Sequence, residues 1–311
     1  MRIHLDTDLG GDTDDACALA MLLGWPDVEI VGVTTVADAG GRRAGYVAHC
    51  LELAGRQDIP VAAGASVSLT TLRSADPVVG DERHWPRTAA ARPASPGAAL
   101  DLLEHSIECG ATVVAIGPHT NLALLEVTRP GSLSRAPVVA MGGWIHPPAD
   151  DLPAWGPEMD WNMQWDTRAA TIVVARAQLT LVPLPVTLKA HLRAADLPRL
   201  RASGPLGELL ARQGEAHAQF YGMSELARAH AGLPDDLLNF HYDPVACAVA
   251  VGWPGAAVAP LRLRTAMVSE VLRLSTDQWG HPVRVVVDID GPGFTETWLE
   301  AVEAAQQSPG G

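Results

Sequence analysis

The chain has 311 residues, of which 48% are hydrophobic and 19% are charged, so it is too apolar for a disordered protein and too mixed for a membrane protein. Acidic residues outnumber basic residues by 36 to 22, which gives a formal net charge of −14. Because an acidic surface repels phosphate backbones and anionic lipids, we expect neither a nucleic acid nor a membrane as a partner.

Strand-like and helix-like segments alternate along most of the chain. Short β-branched runs predict strands at 2–5, 30–36, 112–116, 137–141, 179–183 and 284–288. Helical patterns lie between them at 15–24, 41–54, 98–109 and 121–128. This alternation predicts an α/β fold, with a mainly parallel, Rossmann-like sheet flanked by helices. Chains of this length commonly form one such domain, so we expect a single domain over residues 1–311.

Three further features of the chain concern its loops and its compartment. The proline- and alanine-rich stretches 72–97 and 145–157 lack periodicity and are predicted to be long loops, which often serve as lids in enzymes. The uncharged run 244–261 is predicted to be a buried helix followed by a loop, because prolines and a glycine interrupt its second half. The four cysteines form no Cys-x-x-Cys pair, and an aspartate at residue 6 does not fit a signal peptide. We therefore expect reduced thiols and a cytoplasmic protein.

Five aspartates crowd the segment 6–15, which has no basic residue: Asp6, Asp8, Asp12, Asp14 and Asp15. The segment lies between a predicted strand and a predicted helix, at the edge of the sheet where ligands bind in α/β folds. One or two of these side chains can cap the helix, but five crowded carboxylates repel one another unless a divalent cation neutralises them. Oxygen ligands with flexible spacing favour Ca²⁺ or Mg²⁺ over zinc, so the segment predicts a metal site.

The stretch DTDLGGDTDDACAL at 6–19 closely resembles the signature of the nucleoside hydrolases, the inosine-uridine-preferring N-ribohydrolase family. That signature is an Asp-x-Asp-x-Gly stretch followed by Asp-Asp-Ala and an apolar helix. Five further blocks resemble the family's blocks and follow in the same order: VGVTTV at 31–36, IGPHTNLA at 116–123, MGG at 141–143, DWNMQWD at 160–166 and DPVACAV at 243–249. The resemblance spans about residues 2–300, which is nearly the whole chain.

The resemblance implies a calcium-dependent hydrolase that cleaves the N-glycosidic bond of ribonucleosides into ribose and a free base. It also implies that Asp8 binds Ca²⁺ and acts as the base on the metal-bound water, with Asp15, Asp243 and the backbone carbonyl of Thr120 as further ligands. The residue types agree with this chemistry, because cleavage leaves positive charge on the ribose ring that carboxylates stabilise. A Ca²⁺ that accepts up to about eight oxygens also suits the vicinal diol of ribose.

For the sugar, the resemblance implies hydroxyl contacts from Asp14, Asp160 and Asn162. Many family members have an asparagine close to the sugar where this chain has Ala39. Either the neighbouring Asp38 takes over this contact or the contact is lost.

The aspartate segment departs from the family's spacing. Two residues are extra between the second aspartate and the Asp-Asp pair, either 11–12 or 12–13. Counting back from the helix aligns Asp14 and Asp15 with the pair, which favours Asp15 as the metal ligand. Asp12 stays open as the alternative ligand.

The group that assists the leaving base also departs from the pattern. The well-known inosine-uridine enzymes have a histidine immediately before the late aspartate, where it protonates or supports the base. This chain has Tyr242 at that position and His241 one residue earlier. If Asp243 opens a helix, these two side chains point in different directions, so both cannot occupy one place. Both stay candidates for the catalytic acid.

Aromatic residues offer another means of holding the base. His84 and Trp85 lie in the first long loop and are candidates for base binding, and stacking on an indole would favour purine ribosides over uridine. Trp161 is expected to pack beneath the site, and His119 is a candidate for the pocket wall. The other histidines considered show no metal-ligand spacing and are expected at the surface or in satisfied positions: His49, His105, His191, His217 and His281.

The expected partner is a small ribonucleoside, and the resemblance implies a homodimer or a homotetramer. Two other functions stay open. One is a hydrolase of the same fold that acts on a modified nucleoside of secondary metabolism, and the other is a nucleoside-binding protein with little turnover. The aspartates of the signature argue for a retained metal site, whereas Ala39 and Tyr242 keep both alternatives open.

Overall fold

Strands and helices alternate along residues 1–75, 84–85 and 89–305, the part of the chain that the computed structural model describes. In chain order the strands are β1 (Arg2–Thr7), β2 (Glu29–Thr35), β3 (Val61–Ala63), β4 (Thr112–Ala115), β5 (Pro137–Met141), β6 (Gln178–Val182), β7 (His191–Arg193), β8 (Leu237–Phe240), β9 (Ala256–Val268), β10 (Val271–Thr276) and β11 (His281–Ile289). The helices are α1 (Asp14–Gly24), α2 (Arg42–Leu53), α3 (Ala98–Glu108), α4 (Thr120–Thr128), α5 (Trp161–Trp165), α6 (Thr167–Arg176), α7 (Leu184–Thr187), α8 (Leu197–Ser203), α9 (Pro205–Tyr221), α10 (Met223–Ala229), α11 (Tyr242–Ala250) and α12 (Gly291–Ala305).

One nine-stranded sheet has the order β10-β9-β11-β6-β5-β4-β1-β2-β3, and β7 and β8 form a separate antiparallel pair. From β3 to β11 every neighbouring pair is parallel, whereas β9 runs antiparallel to both β11 and β10. Every residue of β4 is buried, as expected for a central parallel strand covered on both faces by helices. The predicted α/β fold with a mainly parallel sheet is confirmed.

Strand β1 lies where the order of the sheet reverses. It pairs with β2 on one side and with β4 on the other, so the chain builds one half of the sheet and then returns to build the opposite half. In open α/β sheets a crevice forms at such a point, outside the carboxyl ends of the strands. Asp8 directly follows β1, and Ile116 and Met141 lie at the ends of β4 and β5. The aspartate segment therefore opens into this crevice.

Helix α1 packs against α11 and α12. Residues 16–22 of α1 are all buried, and Trp298 of α12 is fully buried with its indole donating a 3.1 Å hydrogen bond to the carbonyl of Cys17. Asp14 and Asp15 open α1, and Asp243 lies in the first turn of α11. The packing of these helices therefore sets the distances between the three acids.

The prediction for 244–261 is right for its first part and wrong for its end. Residues 244–250 continue α11, but β9 begins at Ala256, so 256–261 form a strand and not a loop. This alanine-rich segment has no clear period, and its extended state comes from pairing with β11, which a local pattern does not reveal. Residues 76–83 and 86–88 of the loop predicted at 72–97 lie outside the described residues. In the described part of the chain no helix is long and apolar enough to cross a membrane.

Candidate active site

Three aspartates from two helices meet at the crevice. The carboxylates of Asp14, Asp15 and Asp243 each offer an oxygen, and these oxygens all lie within 4.8 Å of one another. All three side chains are buried. The Thr7 hydroxyl at the end of β1 donates a hydrogen bond to the Asp15 carboxylate, which fixes that side chain toward the strand end. The fold thus gathers acids that are far apart in sequence into one compact group.

The electrostatics of this group call for a cation. Burial raises the pKa values of Asp14 and Asp243 well above the ordinary range, and repulsion from neighbouring aspartates, including Asp8, adds to this rise. Burial and the Asp8 charge raise the pKa of Asp15 in the same way. Such carboxyl groups hold protons unless a positive ion takes the protons' place. An all-oxygen donor set of this kind fits a hard divalent cation such as Ca²⁺ or Mg²⁺.

Asp8 lies at the end of β1 between an indole and a guanidinium. The Trp161 Nε1–H donates a 2.9 Å hydrogen bond to Asp8 Oδ2, and Arg43 Nη1 lies 3.9 Å from the same oxygen. Burial raises the pKa of Asp8, while the Arg43 charge and the indole hydrogen bond oppose that rise. Arg43 is buried and comes from α2, about thirty residues along the chain, and no local motif indicated that it belongs to this site.

Of the residues expected at the sugar, Asp160 and Asn162 lie at the cavity and are firmly held, and Asp14 lies there with the compact group of acids. The Asp160 carboxylate caps α5 by accepting a 3.1 Å hydrogen bond from the Met163 N–H, and it also accepts one from the Gly143 N–H. Burial raises the pKa of Asp160 to about 6. The Asn162 amide donates 2.9 Å and 3.3 Å hydrogen bonds to the carbonyl of Ile116, which follows β4, and to that of Met141, which ends β5, and Asn162 lines the cavity.

These side chains line a cavity of about 590 Å³, a size within the range of about 300–1,000 Å³ that is typical of ligand pockets. Its acidic floor carries Asp8, Asp14, Asp15 and Asp243. The rest of the lining, the wall, is more apolar and comes largely from α9, α10, the start of α5 and the segment before it: Trp155, Met159, Trp161, Tyr221, Met223 and Leu226. A sugar fits the chemistry of the floor, and a flat heterocycle fits that of the wall.

Asp12 does not join the compact group of acids. Its Oδ1 accepts a 2.7 Å hydrogen bond from the Asn239 amide and lies 3.2 Å from His217 Nδ1. Asp12 and His217 both line the cavity. His217 was expected in a surface or satisfied position, and it is buried with Asp12 as its partner. Its place at the cavity was not expected, and the four-residue spacing of Gln213, His217 and Tyr221 along α9 is the signal that could have indicated it.

The two candidates for the catalytic acid have different surroundings. Asp243 lies in the first turn of α11, as expected, so Tyr242 and His241 diverge. Tyr242 lines the cavity, and burial raises its pKa well above 10. The His241 ring is fully buried, with ring centres 4.3 Å from Trp298 and 5.6 Å from Phe294, and burial lowers its pKa to about 3. Of the two, only Tyr242 reaches the cavity.

Several residues expected at the site lie behind it. The Asp38 carboxylate accepts a 2.7 Å hydrogen bond from the Thr35 hydroxyl and 3.0 Å bonds from two N–H groups at the start of α2. Trp85 is buried and stacks on Tyr46 with ring centres 4.1 Å apart. The backbone carbonyl of His84 accepts a hydrogen bond from Gln213. None of these side chains is among the described residues that line the cavity.

The remaining expectations concern Thr120, His119 and Trp161. The Thr120 hydroxyl donates a 2.7 Å hydrogen bond to Asp166, and His119 beside it is fully buried. Neither is among the described residues lining the cavity. Trp161 was expected beneath the site, but it lines the cavity with 47% of its surface exposed and stacks on Trp165. That expectation is wrong, because the indole turns toward Asp8 and away from the core.

Comparisons with known proteins agree over nearly the whole chain. Residues 3–296 match the family model described as inosine-uridine preferring nucleoside hydrolase. The pyrimidine-specific ribonucleoside hydrolase RihA of Salmonella typhimurium is 30% identical over 317 residues, which cover 97% of this chain and 98% of that protein. A solved plant nucleoside hydrolase, PpNRh1, has a TM-score of 0.78 at 25% identity and covers 97% of this chain and 98% of its own. A purine-preferring ribonucleoside hydrolase from Gardnerella vaginalis, with a TM-score of 0.79, 24% identity and 99% coverage of both chains, shares the fold.

Proposed function

This chain belongs to the inosine-uridine preferring nucleoside hydrolase family and hydrolyses N-glycosyl bonds of ribonucleosides, and from that premise we propose a calcium-dependent mechanism in which Asp8 is the base. The observation that carries this proposal is the compact group of buried acids, Asp14, Asp15 and Asp243, beside Asp8 at the reversal point of the sheet. Buried acids at such a place are typical of a functional site, because their charge is costly unless a ligand uses it.

The residues that would hold the cation are Asp8, Asp15 and Asp243, with the Thr120 carbonyl as a further ligand. When bound, Ca²⁺ would supply Lewis-acid chemistry that lowers the pKa of the attacking water. Asp12 is not included in this set, since its carboxylate faces Asn239 and His217. Measurement of bound metal in the purified protein should find about one Ca²⁺ per chain, and a protein without Ca²⁺ or Mg²⁺ that is fully active after chelation would contradict this assignment.

Asp8 is the proposed acceptor of the water's proton. The indole of Trp161 and the guanidinium of Arg43 both lie against Asp8 Oδ2, so they hold the carboxylate in one orientation. A carboxylate that is oriented before the substrate binds loses little conformational freedom when it takes the proton. The remaining oxygen, Oδ1, is the one left to accept the proton.

The ribose is held over the acidic floor by Asp14, Asp160 and Asn162. Breaking the bond to the base gives the sugar oxocarbenium character, with positive charge on C1′ and the ring oxygen. Carboxylates that are already buried and oriented stabilise this charge without reorganising. The same buried charges give little benefit to the neutral substrate, so the stabilisation acts mainly on the transition state.

For the base we propose a preference for purine ribosides. Trp161, Trp155 and Tyr221 on the cavity wall present large aromatic faces, which interact more extensively with two fused rings than with one. The relative RihA is pyrimidine-specific, so a preference for uridine or cytidine is the competing outcome. Initial rates on inosine, adenosine, guanosine, uridine and cytidine distinguish the two.

The direct test is to follow free base and ribose after mixing the protein with each nucleoside. Equimolar release of both products is expected with at least one natural ribonucleoside. Calorimetric binding of nucleosides without any release would instead indicate a nucleoside-binding protein. Turnover confined to nucleosides with modified bases would indicate the alternative of a hydrolase for a modified substrate.

A further inference from the structure

The wall of the cavity contains a histidine-carboxylate pair. His217 is buried on α9, and its Nδ1 lies 3.2 Å from the Asp12 carboxylate. Asp12 is in turn held by the Asn239 amide, which donates a 2.7 Å hydrogen bond to it from β8. A carboxylate that pairs with one ring nitrogen orients an imidazole and leaves its other nitrogen to act on a substrate. Both members of the pair line the same cavity as Asp8.

The aspartate segment and α9 contact each other at two successive helical turns. The Thr13 hydroxyl donates a 3.2 Å hydrogen bond to Gln213, and the preceding residue, Asp12, meets His217 one turn later. One turn further along α9, the Tyr221 ring packs on the His217 ring with centres 4.5 Å apart. Residues four apart lie on one face of a helix, so this face of α9 presents His217 to the cavity in a fixed orientation.

The reaction needs a group that gives a proton to the departing base, and His241 does not supply it. His241 is enclosed by the rings of Trp298 and Phe294 and is not among the described residues lining the cavity. Asp12 belongs to the part of the chain that is two residues longer than the signature it otherwise resembles. The added length therefore brings a carboxylate to α9 and not to the compact group of acids.

We propose that His217, oriented by Asp12, is the catalytic acid that donates a proton to the departing base. This inference rests on the proposed function, because it concerns the same cleavage. In the step, the C1′–N bond breaks and its electron pair goes to the base. The imidazolium N–H proton of His217 passes to the base, and the water oxygen forms the new bond to C1′ while Asp8 takes the water's proton. The sum is nucleoside plus water giving ribose plus the neutral free base, and Asp8 then returns its proton to solvent while His217 takes one up, which restores both side chains.

The test compares substrates whose leaving groups differ in their need for a proton. Inosine and uridine lose a base that requires a proton, whereas p-nitrophenyl ribofuranoside loses a nitrophenolate that leaves as a stable anion. For His217→Gln we expect kcat/KM on the better nucleoside to fall by about 10²-fold or more, the usual contribution of a general acid, with less than about tenfold loss on the nitrophenyl riboside. His105→Gln, an exposed histidine on α3, is the matched control and should behave like the wild type on both substrates.

Asp12→Asn provides a second variant that leaves His217 in place. It should also lose activity selectively on the nucleosides, by less than His217→Gln does, because the ring keeps its position but loses the stabilising charge. Unchanged nucleoside hydrolysis by His217→Gln, or equal losses on both substrates, would overturn the assignment of His217 while leaving the proposed function standing. A wild-type protein that cleaves neither substrate would contradict the proposed function itself, and this inference with it.

Discussion

The floor and the wall of the cavity are built in different ways. The floor comes from the ends of β1 and of neighbouring strands and from the first turns of α1 and α11, and its acids are buried and raised in pKa. The wall comes largely from α9, α10, the start of α5 and the segment before it, and it holds one histidine-carboxylate pair among apolar and aromatic side chains. The floor has the chemistry for a cation and a sugar, and the wall has the chemistry for a base.

Because of this difference, we expect the wall to tolerate amino-acid substitutions better than the floor does. The floor residues depend on one another, since each buried carboxylate repels the others unless a cation or protons offset their charge. In the proposed mechanism the wall residues contact the base separately, so a tyrosine at 242 and a histidine on α9 are compatible with the same floor. We therefore expect substitutions in the floor to abolish turnover and substitutions in the wall to change it selectively.

The largest effect is expected for Asp8→Asn. A neutral amide cannot accept the water's proton, and loss of a general base alone costs about 10²–10⁴-fold in kcat, to which weaker metal binding adds. Steady-state kinetics on the best nucleoside measures this loss. The matched control is Asp27→Asn, an exposed aspartate whose φ of 60° asparagine also tolerates. Near-wild-type turnover of Asp8→Asn would show that the base lies elsewhere.

Removal of the metal should affect stability as well as turnover. A ligand that binds only the folded state at a hundred times its Kd stabilises that state by about 2.7 kcal/mol. We expect exhaustive chelation to abolish turnover and lower Tm, and added Ca²⁺ to restore both. In Asp243→Asn, which removes one acid of the compact group, added Ca²⁺ should raise Tm less. A Tm that is the same with and without Ca²⁺ in the wild type would argue against a bound cation in the floor.

A smaller effect is expected for Tyr242→Phe in the wall. Burial raises the pKa of this phenol well above 10, which makes it a poor proton donor at neutral pH. We expect a loss of less than roughly tenfold on purine ribosides, below the usual contribution of a general acid. Initial rates of the variant on inosine and uridine check this. A nearly inactive Tyr242→Phe with uridine as the best wild-type substrate would assign the leaving-group chemistry to Tyr242.

The effect most remote from turnover concerns the sheet that supports both regions. His4 of β1 is fully buried between the hydroxyls of Ser106 and Thr34, at 2.8 Å and 3.0 Å, and burial lowers its pKa to about 3. The unfolded chain takes up this proton near pH 6.5, so the stabilising contribution is present above that pH and is lost as the pH falls toward 3. Between those limits, the unfolding free energy of the wild type should fall by up to about 1.4 kcal/mol per pH unit more than that of His4→Gln. Equal pH dependence in denaturant titrations of the two proteins would contradict this.

The sequence was most informative where the chemistry is local. The strand that ends at Thr7, the aspartates that follow it and the helix that begins at Asp14 are contiguous, so their order alone places acids at the carboxyl edge of a parallel sheet. Asp160 and Asn162 could be predicted for the same reason, because they lie in one short block whose residue types resemble a known family. Both reach the cavity in the structure.

The α/β alternation, the family and the residue types of the acidic floor could be predicted from the sequence, because they follow from short segments and their order. The folded chain alone shows that Asp12 faces His217, that Arg43 and Trp161 meet at Asp8, and that His241 is enclosed by aromatic rings. These contacts join residues about thirty to two hundred positions apart, so no local pattern records them. They are set by how α9, α2 and α12 pack around the sheet, and packing depends on the whole chain at once.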